Sequence, residues 1–122
     1  PSNLAKRATE SVHLANCPGS PEYSLVVYCD KDSDCFGTNP GDNNICVVTK
    51  GSYKKWETQG SCTFPTGVTF RYNVQSGANN FPAFSYVGTG SNDFKQFTGY
   101  RDNNPGFIKY NGQTCISLYY FL

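Results

Sequence analysis

The sequence predicts an all-β fold: a single-domain antiparallel β-sandwich or small β-barrel stapled by disulfides. Three observations carry that expectation. Apolar residues recur with period two along most of the chain, as in strands that bury one face. Clusters of Gly, Pro, Asn and Asp break the pattern about every ten residues, the spacing of sandwiches and barrels. Six cysteines, an even set, are scattered through 122 residues, as in the disulfide framework of a secreted protein.

The chain opens on a polar stretch, residues 1–10, with neither the apolar run of a signal peptide nor strand-like alternation. It reads as a flexible leader or pro-segment remnant. Its Lys6-Arg7 pair is a candidate target of secretory-pathway endoproteases, giving a mature chain from Ala8 or slightly later. The alternative is an exposed basic pair in a frayed terminus. The β domain is expected over residues 11–122.

Within it, strands are expected at Val12 to Ala15, Tyr23 to Cys29, Ile45 to Thr49 and Cys62 to Phe64. Val68, Phe70, Tyr72 and Val74 then alternate with Thr69, Arg71, Asn73 and Gln75, an amphipathic strand. Phe84 to Val87 and Asp93 to Phe97 follow. The last element is a hairpin, Phe107 to Tyr110 and Gln113 to Tyr120 around Asn111-Gly112, because Asn-Gly supplies the positive φ angles of a type I′ turn. At most one short helix fits. A chain of this length buries about two-thirds of its unfolded surface, and nine Tyr, nine Phe and one Trp supply the core.

Composition narrows the function classes. A net charge of +1 with interspersed signs lacks the footprint of a dedicated nucleic-acid binder. No Asn-x-Ser/Thr sequon occurs, and no apolar run approaches the roughly 20 residues of a membrane-spanning helix, so a soluble protein is expected.

The six cysteines, Cys17, Cys29, Cys35, Cys46, Cys62 and Cys115, contain no Cys-x2-Cys pair of the kind that zinc requires. They are expected to form three disulfides, for which fifteen pairings exist. No cofactor is expected. A Ser-His-Asp or Cys-His nucleophilic site has to use His13, the sole histidine, which sits on an expected strand and reads as a structural or surface side chain. Small fungal-type ribonucleases pair a histidine with a second histidine or with Glu and Arg, a poor match to one His near the terminus. The carboxylates that a glycosidase would need lie mostly in turn sequence. The expectation is therefore a non-enzymatic protein.

Asp30, Asp32 and Asp34 resemble the opening of a calcium loop, but Cys35 replaces the required glycine and Gly41 stands where the twelfth-position glutamate belongs. An EF-hand is excluded, leaving a looser calcium site or a solvated acidic turn. Lys54, Lys55 and Trp56, with Lys50, form the local basic-aromatic cluster. They serve as a contact patch for a glycan or lipid headgroup if Trp56 is exposed, whereas a lone tryptophan in a small β domain more often belongs to the core.

Four segments carry a resemblance: Ser11-Val-His-Leu-Ala-Asn-Cys17, Tyr23-Ser-Leu-Val-Val-Tyr28, Ser61-Cys-Thr-Phe-Pro-Thr-Gly-Val-Thr-Phe70 and Gly112-Gln-Thr-Cys-Ile-Ser-Leu-Tyr-Tyr120. Together they resemble small cysteine-rich secreted proteins of filamentous fungi, over most of the chain after residue 10. Similar sequences carry two further cysteines, about where this chain has Gly99 and Phe121. The resemblance implies an elicitor or effector: secreted into the apoplast, monomeric, perceived through a plant cell-surface receptor or the plasma membrane, provoking hypersensitive cell death and defence, and contributing to virulence. Two other classes stay open. One is a killer-toxin-like antimicrobial protein, for which +1 is a modest charge. The other is a cell-wall carbohydrate-binding protein using Trp56 with Tyr53 or Tyr100. A protease inhibitor presenting Asn39 to Asn44 is a further option.

Overall fold

The computed structural model describes residues 10–31 and 35–122. Among these residues ten strands follow one another: β1 (Ser11–Cys17), β2 (Tyr23–Cys29), β3 (Ile45–Lys50), β4 (Gln59–Thr63), β5 (Thr69–Val74), β6 (Tyr86–Ser91), β7 (Gln96–Asn104), β8 (Lys109–Tyr110), β9 (Gln113–Thr114) and β10 (Ile116–Phe121). Eight form one antiparallel sheet in the order β3-β2-β1-β10-β7-β6-β5-β4, and β8 pairs with β9 alone. The sheet curls until its two end strands approach. A disulfide from Cys46 on β3 to Cys62 on β4 ties that seam, so the architecture is a nearly closed barrel. Register shifts in the β1–β10, β10–β7, β2–β3 and β6–β7 pairings supply local bends that let a sheet curl.

Eight strands leave an interior that side chains fill. Val12, Leu14, Val26, Trp56, Phe70 and Phe121 belong to that inner core. On β5 the expected alternation holds, with Phe70, Tyr72 and Val74 buried. Phe70 meets Phe121 edge-on at 5.3 Å and Phe97 at 5.6 Å. Two glycines make room for this cluster. A Cβ on Gly90 would lie 2.5 Å from the Phe70 ring, and one on Gly99 would lie 2.5 Å from the Phe121 ring. Gly99 is also the register partner of Phe121. At this pair of positions the chain therefore packs a ring over a glycine.

A second core lies outside the barrel. Ala15, Cys17, Leu25 and Val27 point outward from β1 and β2 and are covered by Phe107 and Ile108, from the arm that carries β8 and β9. Burial on both faces explains why Tyr23–Cys29 reads as a nearly continuous apolar run. The Cys17–Cys115 disulfide, spanning 98 residues, pins the arm, and Cys29–Cys35 pins the chain beyond β2 to the same layer. Closing so long a loop removes about 4–5 kcal/mol of unfolded-chain entropy.

The Asn111-Gly112 turn has the expected positive φ at both positions, 50° and 76°. Its hairpin is shorter than expected, because after Thr114 the chain leaves β8 and enters the main sheet as β10. Two other expectations are corrected. Asp93 and Phe94 belong to a turn, and β7 runs from Gln96 through the polar stretch to Asn104, held by pairing with β6 on one side and β10 on the other. Phe84 sits at φ 69°, outside the strand, and β6 begins at Tyr86. No α-helix occurs among the described residues, which contain two short 3-10 turns, Asp42–Asn44 and Ala78–Asn80.

Candidate functional site

The two ends of the barrel differ. At one end the β3–β4 connection folds back and inserts Trp56, only 1% exposed, edge-on against Tyr72 at 5.5 Å. The indole N–H donates to Asn16 Oδ1 at 3.0 Å, the Ser24 hydroxyl donates to the same oxygen at 2.7 Å, and the Lys54 backbone N–H donates to Ser24 Oγ at 2.8 Å. Nearby, the Tyr119 hydroxyl donates to Glu57 at 2.5 Å. Trp56 is thus a plug of the core. The contact patch expected from Lys54, Lys55 and Trp56 is corrected accordingly, since the ring that would stack on a ligand is buried and only the lysines border solvent.

The opposite end is open. Short connections reach it from β4 to β5 and from β6 to β7, and a cavity of about 530 Å³ lies between them. Its apolar wall is Tyr28, Phe64, Val68 and Phe94, and its polar groups include Glu10, Asn43, Asn44 and Lys95. Gly67 turns the first connection at φ 92°, with the Phe64 N–H donating to the Val68 carbonyl at 2.8 Å. In the second, Asn92 Oδ1 accepts from the backbone N–H of Phe94 at 2.8 Å and of Lys95 at 2.9 Å, an Asx turn. That turn holds Phe94 at the apex, 81% exposed.

Three polar side chains brace the rim. Lys95 Nζ donates to Glu10 Oε1 at 2.8 Å, and the Tyr28 hydroxyl donates to Glu10 Oε2 at 2.5 Å. Lys95, then Tyr28, hold the Glu10 carboxyl below the usual carboxylate range. Burial, then the bond to Glu10, pushes the Tyr28 hydroxyl well above the ordinary phenol. Glu10 and Lys95 neutralise each other, which leaves a mouth suited to an apolar or uncharged group. The cavity falls within the size and composition of ligand pockets.

A Ser-His-Asp grouping does form elsewhere. His13 Nδ1 lies 2.7 Å from Ser117 Oγ and 3.4 Å from Asp102 Oδ2, the Ser117 hydroxyl donates to Asp102 at 2.6 Å, and Ser11 Oγ lies 3.1 Å from His13 Nε2. All four side chains are buried, and the imidazole stacks on Phe107 with centroids 4.2 Å apart. Both hydroxyls are fully buried, and Ser117 and Asp102 line a small depression of about 230 Å³. The network joins β1, β7 and β10, and gives each buried polar group a partner.

All six cysteines are disulfide-bonded. Lys6 and Arg7, the expected processing pair, lie outside the described residues, as do Asp32 and Asp34. Asp30 is exposed, and among the described residues no group of His, Cys, Asp and Glu is placed to hold a metal ion. Sequence reasoning missed the barrel mouth. Its one local signal was an aromatic embedded in Ser91-Asn-Asp-Phe-Lys95, a turn-forming context. Comparison with known proteins finds no family model, no curated protein and no solved structure that matches this chain.

Proposed function

We propose that the chain is a secreted, non-enzymatic elicitor or effector of the fungal cysteine-rich type, monomeric, perceived by plant cells through a surface receptor or the plasma membrane. On this reading it induces hypersensitive cell death and defence and contributes to infection. The observation that carries the proposal is Phe94, 81% exposed at the lip of an apolar cavity on a barrel held by three disulfides. Large apolar side chains presented in this way mark interaction sites, and aromatic anchors dominate binding energy at interfaces. Three disulfides favour an oxidising, extracellular setting. The burial of His13, Ser11 and Ser117 supports a binding role over nucleophilic catalysis. The sequence resemblance supplies the host setting.

Infiltration of the purified, oxidised protein into leaves, beside a reduced and alkylated control, tests this. Cell death and an oxidative burst from the folded form alone are expected. Silence in several plant species would overturn the proposal.

A further inference from the structure

We infer that the outer face of β4–β7 is a second binding site, shaped for a neutral oligosaccharide chain. The outside of the barrel is divided. Over β1 and β2 it is buried and largely apolar, beneath the β8–β9 arm. Over β4–β6 and the first three residues of β7 the strands carry no charged residue apart from Arg71.

Strand register aligns the side chains of this face into rungs. One rung runs Gln59, Asn73, Thr89 and Thr98 across the four strands. The next runs Ser61, Arg71, Ser91 and Gln96. Four adjacent strands span about 14 Å, the reach of a short oligosaccharide, and a depression of about 480 Å³ lies along them. Amide and hydroxyl groups both donate and accept, as the hydroxyls of a sugar do. Arg71 lies 3.9 Å from Asp93, so the face has no net charge to attract an anionic polymer.

Tyr86 flanks the rungs, 51% exposed. It is the register partner of Tyr100, whose ring stacks on Tyr120 at 5.4 Å. A tyrosine face receives the apolar C–H face of a pyranose while the rungs bond its hydroxyls. A strand face that only meets water normally carries Lys and Glu. The outward positions of these two rungs carry neither.

Calorimetric titration of the oxidised protein with laminarihexaose, cellohexaose and chitohexaose tests the inference, with backbone amide NMR shifts recorded on the same samples. At least one hexasaccharide is expected to bind with Kd below about 1 mM, shifting amides on β4–β7. Tyr86→Ala, and separately Asn73→Ala with Gln96→Ala, are expected to weaken that binding at least about tenfold; Phe94→Ala leaves it unchanged. Absence of binding by all three sugars, shifts confined to other strands, or full affinity in folded Tyr86→Ala would overturn it. Should that variant fail to fold, the shift map of the native protein decides. The assay contains no plant cells, so its outcome is independent of the elicitor reading.

Discussion

Trp56 and Phe94 sit at opposite ends of the same barrel in opposite surroundings. Trp56 fills the interior and spends its N–H on Asn16. Trp56→Ala is expected to cost about 3–5 kcal/mol, read as a lower midpoint in urea denaturation followed by circular dichroism. Glu10 makes a pH-dependent contribution. Its carboxyl pKa is depressed by Lys95 and Tyr28, so the stabilisation is present above the ordinary glutamate value of about 4.3 and is lost as pH falls through the folded value. The pair is partly exposed, which limits its worth to less than about 1 kcal/mol. Thermal melts taken downward from about pH 5 are expected to show this loss in the native protein and not in Glu10→Gln. Single residues were unevenly legible. The His13 network was not readable in advance, because Asp102 and Ser117 meet His13 only through the pairing of β1, β10 and β7.

At the scale of elements, the seam between β3 and β4 rests on one covalent bond. Those strands share no ladder of hydrogen bonds, so Cys46–Cys62 does the closing. Replacing both cysteines by alanine is expected to lower stability by about 3 kcal/mol, the value for a loop of roughly this length. Native-state hydrogen exchange should then lose protection first on β3 and β4; uniform loss across the sheet would contradict a local seam. The pairing of the cysteines was beyond sequence, since it depends on which strands curl together. β2 was readable to the residue because its run is apolar on both faces, and the Asn111-Gly112 turn because its φ angles demand those residues. The far half of β7 was not: Tyr100 to Asn104 has turn-like composition, which strand neighbours on both sides override.

The whole molecule combines an interior filled by aromatics, one plugged end, one open end, and an exterior split between a covered apolar half and a bare polar half. The all-β class was legible from period and turn spacing, whereas the second core, the arm over it and the open mouth arise from long-range packing. Burial of tyrosines gives the whole fold an alkaline limit. Burial, then hydrogen bonds to Glu10 and Glu57, raises the hydroxyl pKa of Tyr28 and Tyr119. Their stabilisation is present below the ordinary tyrosine value of about 10 and is lost as pH rises through the folded values. Melting temperature is expected to fall above about pH 10, with a shallower fall in Tyr119→Phe.

On the proposed function, plant cells perceive the open mouth through Phe94. A dose series of native protein and Phe94→Ala in leaves, with matched melting curves, tests it most directly. Because the side chain is exposed, stability should change by no more than about 0.5 kcal/mol. Loss of an interface anchor of about 2 kcal/mol raises the dose needed for cell death roughly thirtyfold. Equal potency of the two folded proteins would contradict that role for Phe94.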